Sequence, residues 1–143
     1  MLPTIIRLDS NSDDPNGSFI TKLRDVDHVE TFTEVDSCIN YIKCHSQQPI
    51  FLIVSGVFAL QMVPQIYESS NIQMIFVFCA AMKTYTDWAM DFYEKLLMFD
   101  HEDDLLQRLL LRLEEYSREQ AEDCIRKADE CKERSRRLKQ SCG

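Results

Sequence analysis

The strongest constraint on how this chain folds is the run Ile50 to Gly56 (IFLIVSG), apolar through Val54 and closed by Ser55 and Gly56. An apolar run this short, with no polar alternation, fits a strand covered on both faces, as at the centre of a parallel sheet. A second run, Ile72 to Ala81 (IQMIFVFCAA), repeats the pattern. The intervening Val57 to Ser70 is long enough for the helical crossover that two parallel strands require.

Around this pair the chain reads as further strands and helices. Thr4 to Leu8 (TIIRL) is a short first strand, and Asp9 to Gly17 is dense in turn formers. Ser18 caps a brief helix through about Asp25, and His28 to Phe32 (HVETF) alternates as a half-exposed edge strand does. Thr33 and Asp36 stand close to a capping box before Val35, Cys38, Ile39 and Ile42, which recur at helical spacing to about His45. Val57 to Tyr67 is helical, with Pro64 kinking it or opening a second segment and Asn71 closing it. The strand after it ends at Cys79. Thr84 and Asp87 form a second cap-like pair ahead of a helix with Tyr85, Trp88, Ala89 and Phe92 inward, and Leu96 to Phe99 is a fifth strand. Strands alternating with helices predict an α/β fold: a five-stranded parallel sheet of flavodoxin or receiver type, order 2-1-3-4-5, with a long C-terminal helix.

That last helix runs from His101 to about Leu138 without Gly or Pro. At 1.5 Å per residue it reaches roughly 55 Å, more than a domain of 143 residues needs. Its first half carries Leu105, Leu106, Leu109, Leu110, Leu113 and Tyr116, an apolar face fit to cover the sheet. Its second half carries small residues, Ala121, Cys124, Ala128, Cys131 and Ser135, followed by Leu138, at the threes and fours of a coiled-coil seam. The expected organisation is therefore an α/β domain over 1–116 and a helical extension over 117–143. Such an extension either docks on another helix, from a copy of the chain or from a protein partner, or stays a solvated helix.

Composition excludes several functions. With 45% hydrophobic residues the chain can bury a core, and its net charge of −8 argues against nucleic acid or an anionic membrane as the main partner. No segment approaches the roughly 20 apolar residues that span a bilayer. The N-terminal MLPTIIRLDS has no signal-peptide pattern, so Cys38, Cys44, Cys79, Cys124, Cys131 and Cys142 are expected as free thiols in the cytoplasm.

Ligands of such sheets bind beyond the carboxyl ends of the strands. Those ends hold Asp9, Ser10, Asp13 and Asp14 after the first strand, Ser55 and Gly56 after the third, Cys79 after the fourth and Asp100 after the fifth. Ser55-Gly56 at a helix start offers backbone N–H groups to an anion, but no phosphate-loop motif accompanies it, and a glycine needed for a tight turn is the better reading. Cys79 stands where a nucleophile would be displayed, yet no His is placed beside it, so a small buried hydrophobe is favoured. Cys38, Cys44 and His45 lack metal-site spacing, and no metal or other cofactor is expected.

The topology resembles the receiver domains of two-component signalling. The resemblance implies acidic magnesium ligands after the first strand, where Asp9, Asp13 and Asp14 stand. It also implies a phosphoacceptor aspartate where this chain has Ser55, a Ser or Thr where Cys79 and Ala80 stand, and a lysine where Phe99 and Asp100 stand. Those departures speak against phosphoryl transfer to aspartate. From His28 to Leu97, the phrases HVETFTEVDSCINYI, IFLIVSG, VPQIY, MIFVFC and TDWAMDFYEKL resemble an α/β domain of invertebrate multidomain proteins. That domain is often found upstream of tetratricopeptide repeats or an arginine-specific ADP-ribosyltransferase domain. No catalytic residues carry over from it, and the transferase's own signatures are not visible. Two functions are expected from these readings. One is a non-catalytic signalling or interaction module. The other is a small-molecule or nucleotide sensor or enzyme built on Asp9, Ser55 and Cys79.

Overall fold

A computed structural model describes residues 3–9, 29–80 and 82–142. Contacts divide the chain into two compact units, Met1–Leu110 and Leu111–Gly143.

The first unit is built on five parallel strands: β1 (Thr4–Leu8), β2 (Val29–Phe32), β3 (Ile50–Ser55), β4 (Ile72–Phe78) and β5 (Leu96–Phe99), in the order β2-β1-β3-β4-β5. This is the order that the sequence predicts. β3 is buried from Ile50 to Val54, and β4 is buried at Ile72 and from Met74 to Val77. Because side chains alternate along a strand, such continuous burial means that both faces are covered. On one face Ile6, Leu8, Leu52, Val54, Ile75 and Val77 form a core with residues of α1 (Val35–Cys44) and α2 (Gly56–Ile66). α3 (Met82–Ala89), which leads into a short 3-10 turn at Met90–Phe92, packs Tyr85, Trp88 and Ala89 against the same cluster, and Phe92 joins them. On the other face Phe51, Phe76 and Phe99 stand side by side, with ring centroids 6.4 and 6.2 Å apart. α4 (Glu102–Cys142) contributes Leu105, Leu106 and Leu109 to the buried set.

Several expectations change in detail. α1 has Glu34 as its N-cap and no side-chain cap bond, so the Thr33–Asp36 pair does not act as a capping box. α2 runs as one element through Pro64, which lies exposed and opens no second segment. The carbonyl deprived of a donor is that of Leu60, an exposed residue. β4 ends at Phe78, and Cys79 follows it. Leu110 is exposed rather than part of the covering face. The helix expected over 18–25 and the strand position of His28 lie outside the described residues.

α2 ends at Ile66 with Tyr67 as its C-cap, so Asn71, expected to close it, instead stands just before β4. It is buried, and its Nδ2 donates to the Ile42 and His45 carbonyls at 2.9 and 3.1 Å, taking up acceptors that α1 leaves open at its C-terminus. Its own carbonyl accepts from the Ile50 N–H at 2.8 Å, so one residue fastens α1 to the start of β3. Asn71→Ala is expected to cost about 1–3 kcal/mol in urea unfolding, because the Ile42 carbonyl loses its side-chain donor, while the His45 carbonyl keeps the Gln48 N–H. Asn71→Asp, nearly isosteric, is expected to cost more than the alanine. It adds a charge at the negative end of a helix in a buried position.

Candidate functional site

Parallel strands deliver their C-terminal residues to one edge, and there the described chain has a small pocket lined by Arg7, Leu8, Asp9, Ile53, Val54, Ser55, Phe78 and Glu102. Its volume is about 50 Å³. Arg7 and Asp9 are two apart on an extended segment and so emerge on the same side of the sheet. The Arg7 Nη2 donates to Asp9 Oδ2 at 3.1 Å, with both side chains mostly shielded from water. The Asp9 backbone N–H donates to the Phe32 carbonyl at 3.1 Å, which extends the β1–β2 ladder to the lip of the pocket.

Of the residues expected at this edge, Asp9 and Ser55 are brought together as pocket lining. Ser10 lies outside the described residues, as do Asp13 and Asp14. Gly56 and Cys79 do not line the pocket but meet one another. A Cβ added to Gly56 would stand 3.0 Å from Cys79 Sγ, 3.1 Å from its Cβ and 3.5 Å from Tyr85 Cε2. No glycine among the described residues has a positive φ, so Gly56 is not there for an unusual turn, as the sequence suggested. It is there because the first turn of α2 passes close to Cys79. Arg7, Phe78 and Glu102 were missed from sequence. The available signal was Arg7 itself, a charged residue in the strand TIIRL, where both faces should be apolar.

The position corresponding to a receiver's magnesium site holds an arginine–aspartate pair. Asp9 already faces a cation, and the described residues contain no group of three or more potential metal ligands. Lys95, the lysine nearest β5, precedes that strand instead of following it. It donates to the Tyr67 and Ser69 carbonyls at 3.0 and 3.3 Å, a fastening role at the opposite end of the sheet.

The second candidate surface is the far part of α4. Ala121, Cys124, Ala128, Cys131 and Leu138 are all exposed, as is Ile125, which sits beside this seam. The helix here is held by ion pairs one turn apart. Lys127 Nζ lies 3.0 Å from Asp123 Oδ2, Arg126 also pairs with Asp123, and Arg137 Nε lies 3.5 Å from Glu133 Oε1. The hydrogen bond from Lys127, with help from Arg126, holds the half-buried Asp123 carboxyl below its ordinary range.

Two outcomes follow from this packing. Gly56→Ala is expected to lower stability by about 1–3 kcal/mol, as overpacking does, and to lose less when combined with Cys79→Ala, which removes the sulfur the new methyl meets. A double-mutant cycle in urea checks this. In the native protein at mildly alkaline pH, Cys44, Cys124 and Cys131 are expected to react with a disulfide reagent while Cys38 and Cys79 are spared. Burial shields both thiols and pushes that of Cys38 up to about 12. Peptide mapping after alkylation reads the result, and modification of Cys79 at the rate of the exposed thiols would revive it as a nucleophile.

Comparison with known protein families, with curated proteins and with solved structures found no match.

Proposed function

We propose that the chain is a non-catalytic signalling or interaction module: a receiver-like α/β unit without the phosphoacceptor aspartate, whose C-terminal helix docks on another helix. The observation that carries this reading is the size of the strand-end pocket. Sites for metabolites and cofactors enclose roughly 300–1,000 Å³, whereas the pocket lined by the described residues encloses about 50 Å³. A space of that size admits a few waters and no nucleotide.

The chemistry at the strand ends supports the same reading. Ser55 stands at the acceptor position, Cys79 is packed beneath Gly56, and Asp9 is engaged by Arg7. A serine hydroxyl does not replace an aspartyl carboxylate as phosphoacceptor without a base to activate it. The resemblance to domains that stand beside repeat and effector domains fits a module of this kind. The exposed thiols of Cys44, Cys124 and Cys131 suit a reducing compartment, and we place the chain in the cytoplasm on that ground. The competing reading, a nucleotide sensor at Asp9, Ser55 and Cys79, requires a pocket several times larger.

Isothermal titration with adenine and guanine nucleotides and with nicotinamide dinucleotide is expected to give no saturable heat. Incubation with acetyl phosphate is expected to leave the mass unchanged. Saturable binding that Ser55→Trp abolishes would overturn the proposal in favour of the sensor.

A further inference from the structure

Coiled-coil partners are chosen by the residues that flank the apolar seam, the e and g positions, because these are the charges that face one another across the interface. With Ala121 and Ala128 at a and Cys124 and Cys131 at d, the e row of α4 reads Arg118, Ile125, Lys132, Lys139. The g row reads Gln120, Lys127, Arg134, Ser141. Neither row contains an acidic residue. The acids of this segment, among them Glu119, Glu122, Asp129, Glu130 and Glu133, fall on the opposite side of the helix at b, c and f. In a chain of net charge −8, the seam of the tail is thus bordered only by cations and neutral groups.

We infer that the seam of α4 is built for a helix of another protein that carries Glu or Asp at its own e and g positions, and not for a second copy of this chain. The inference rests on the docking role proposed above. A parallel pair of copies would set Lys127 against Lys132 and Arg134 against Lys139, and an antiparallel pair would set each basic row against itself. Like charges in those positions repel. The seam offers little to offset that repulsion, since Ala, Cys and Ser bury small areas and Leu138 is its one large residue.

The cations are available to a partner. Lys132, Arg134 and Lys139 are exposed and enter no ion pair among the described residues. Lys127 and Arg118 pair within the helix, to Asp123 and Glu114, but at exposed sites where such pairs are weak and exchange readily. An anionic membrane suits the surface less well. The outer face is acidic, and Ile125 and Leu138 are the large apolar residues this segment exposes, too few to anchor an interfacial helix.

The test uses the full chain and two labelled synthetic helices of four heptads with the same Leu and Ala seam, one with Glu and one with Lys at every e and g position. Fluorescence anisotropy at low ionic strength is expected to show the Glu helix bound at least about tenfold more tightly than the Lys helix, with the difference shrinking as salt screens the charges. Reversing Lys132→Glu, Arg134→Glu and Lys139→Glu, all surface changes that leave the sheet unit intact, is expected to invert the preference. Light scattering of the chain alone at low salt is expected to give the monomer mass.

Equal binding of both helices, or a preference that the triple reversal leaves unchanged, overturns the acidic-partner inference. A dimer of the chain alone overturns it too, while leaving the docking role standing. Binding to phosphatidylserine vesicles but to neither helix overturns it in favour of a membrane surface. Binding of neither helix, together with a monomer and a saturable nucleotide site at Ser55, removes the docking reading as well.

Discussion

β3 and β4 are buried along most of their length, so their backbone N–H and C=O groups need ladder partners, and neighbouring strands on both sides supply them. The rest of the sheet unit follows from that requirement. Two faces of apolar side chains demand helices or other cover on both faces, and the parallel pairing demands crossovers that return the chain to the same edge. Those crossovers place every strand's C-terminal residue at one rim. They also bring the first turn of α2 so near Cys79 that a side chain at position 56 would crowd it.

The rim then acquires its character from local charge. Arg7 and Asp9 emerge together because they are two apart on an extended segment, and their ion pair gives the Asp9 carboxylate a cationic partner at the rim. With Glu102 and the body of Phe78 closing in, the cleft at the sheet's topological edge is reduced to a void of about 50 Å³. A fold that commonly hosts ligands at its rim has here, among the described residues, only a small pocket. The tail is held on different terms: no side chain of 117–140 is buried, so its helicity depends on propensity and on pairs such as Lys127–Asp123.

Much of this was legible in the residues. The strands at Thr4–Leu8, Ile50–Ser55 and Leu96–Phe99 stand where apolar runs between turn formers put them, and the sheet order follows from strands that alternate with helices. Asp9 and Ser55 stand at one rim, where the ends of parallel strands put them. Less legible were the features that depend on a distant neighbour. Asn71 reads as a loop residue until the C-terminus of α1 is seen to need its amide, and Glu102 joins the rim from more than forty positions after Ser55. The Thr33–Asp36 pair has the spacing of a cap without the bond, since helix entry was set one residue later at Glu34.

By itself the sequence determined the architecture and the character of the tail. Hydrophobic periodicity and the order of elements are local properties, and in a parallel sheet they leave few arrangements that bury every apolar face. The segregation of acids and bases around the last helix is equally local, because the helical repeat alone decides which residues share a face. Only the tertiary structure decided the state of the rim: that Asp9 is paired, that Gly56 is crowded by Cys79, and that the space left over is small. Those outcomes depend on ångström-scale distances between segments far apart in the chain, and no spacing along a sequence encodes a distance of that kind.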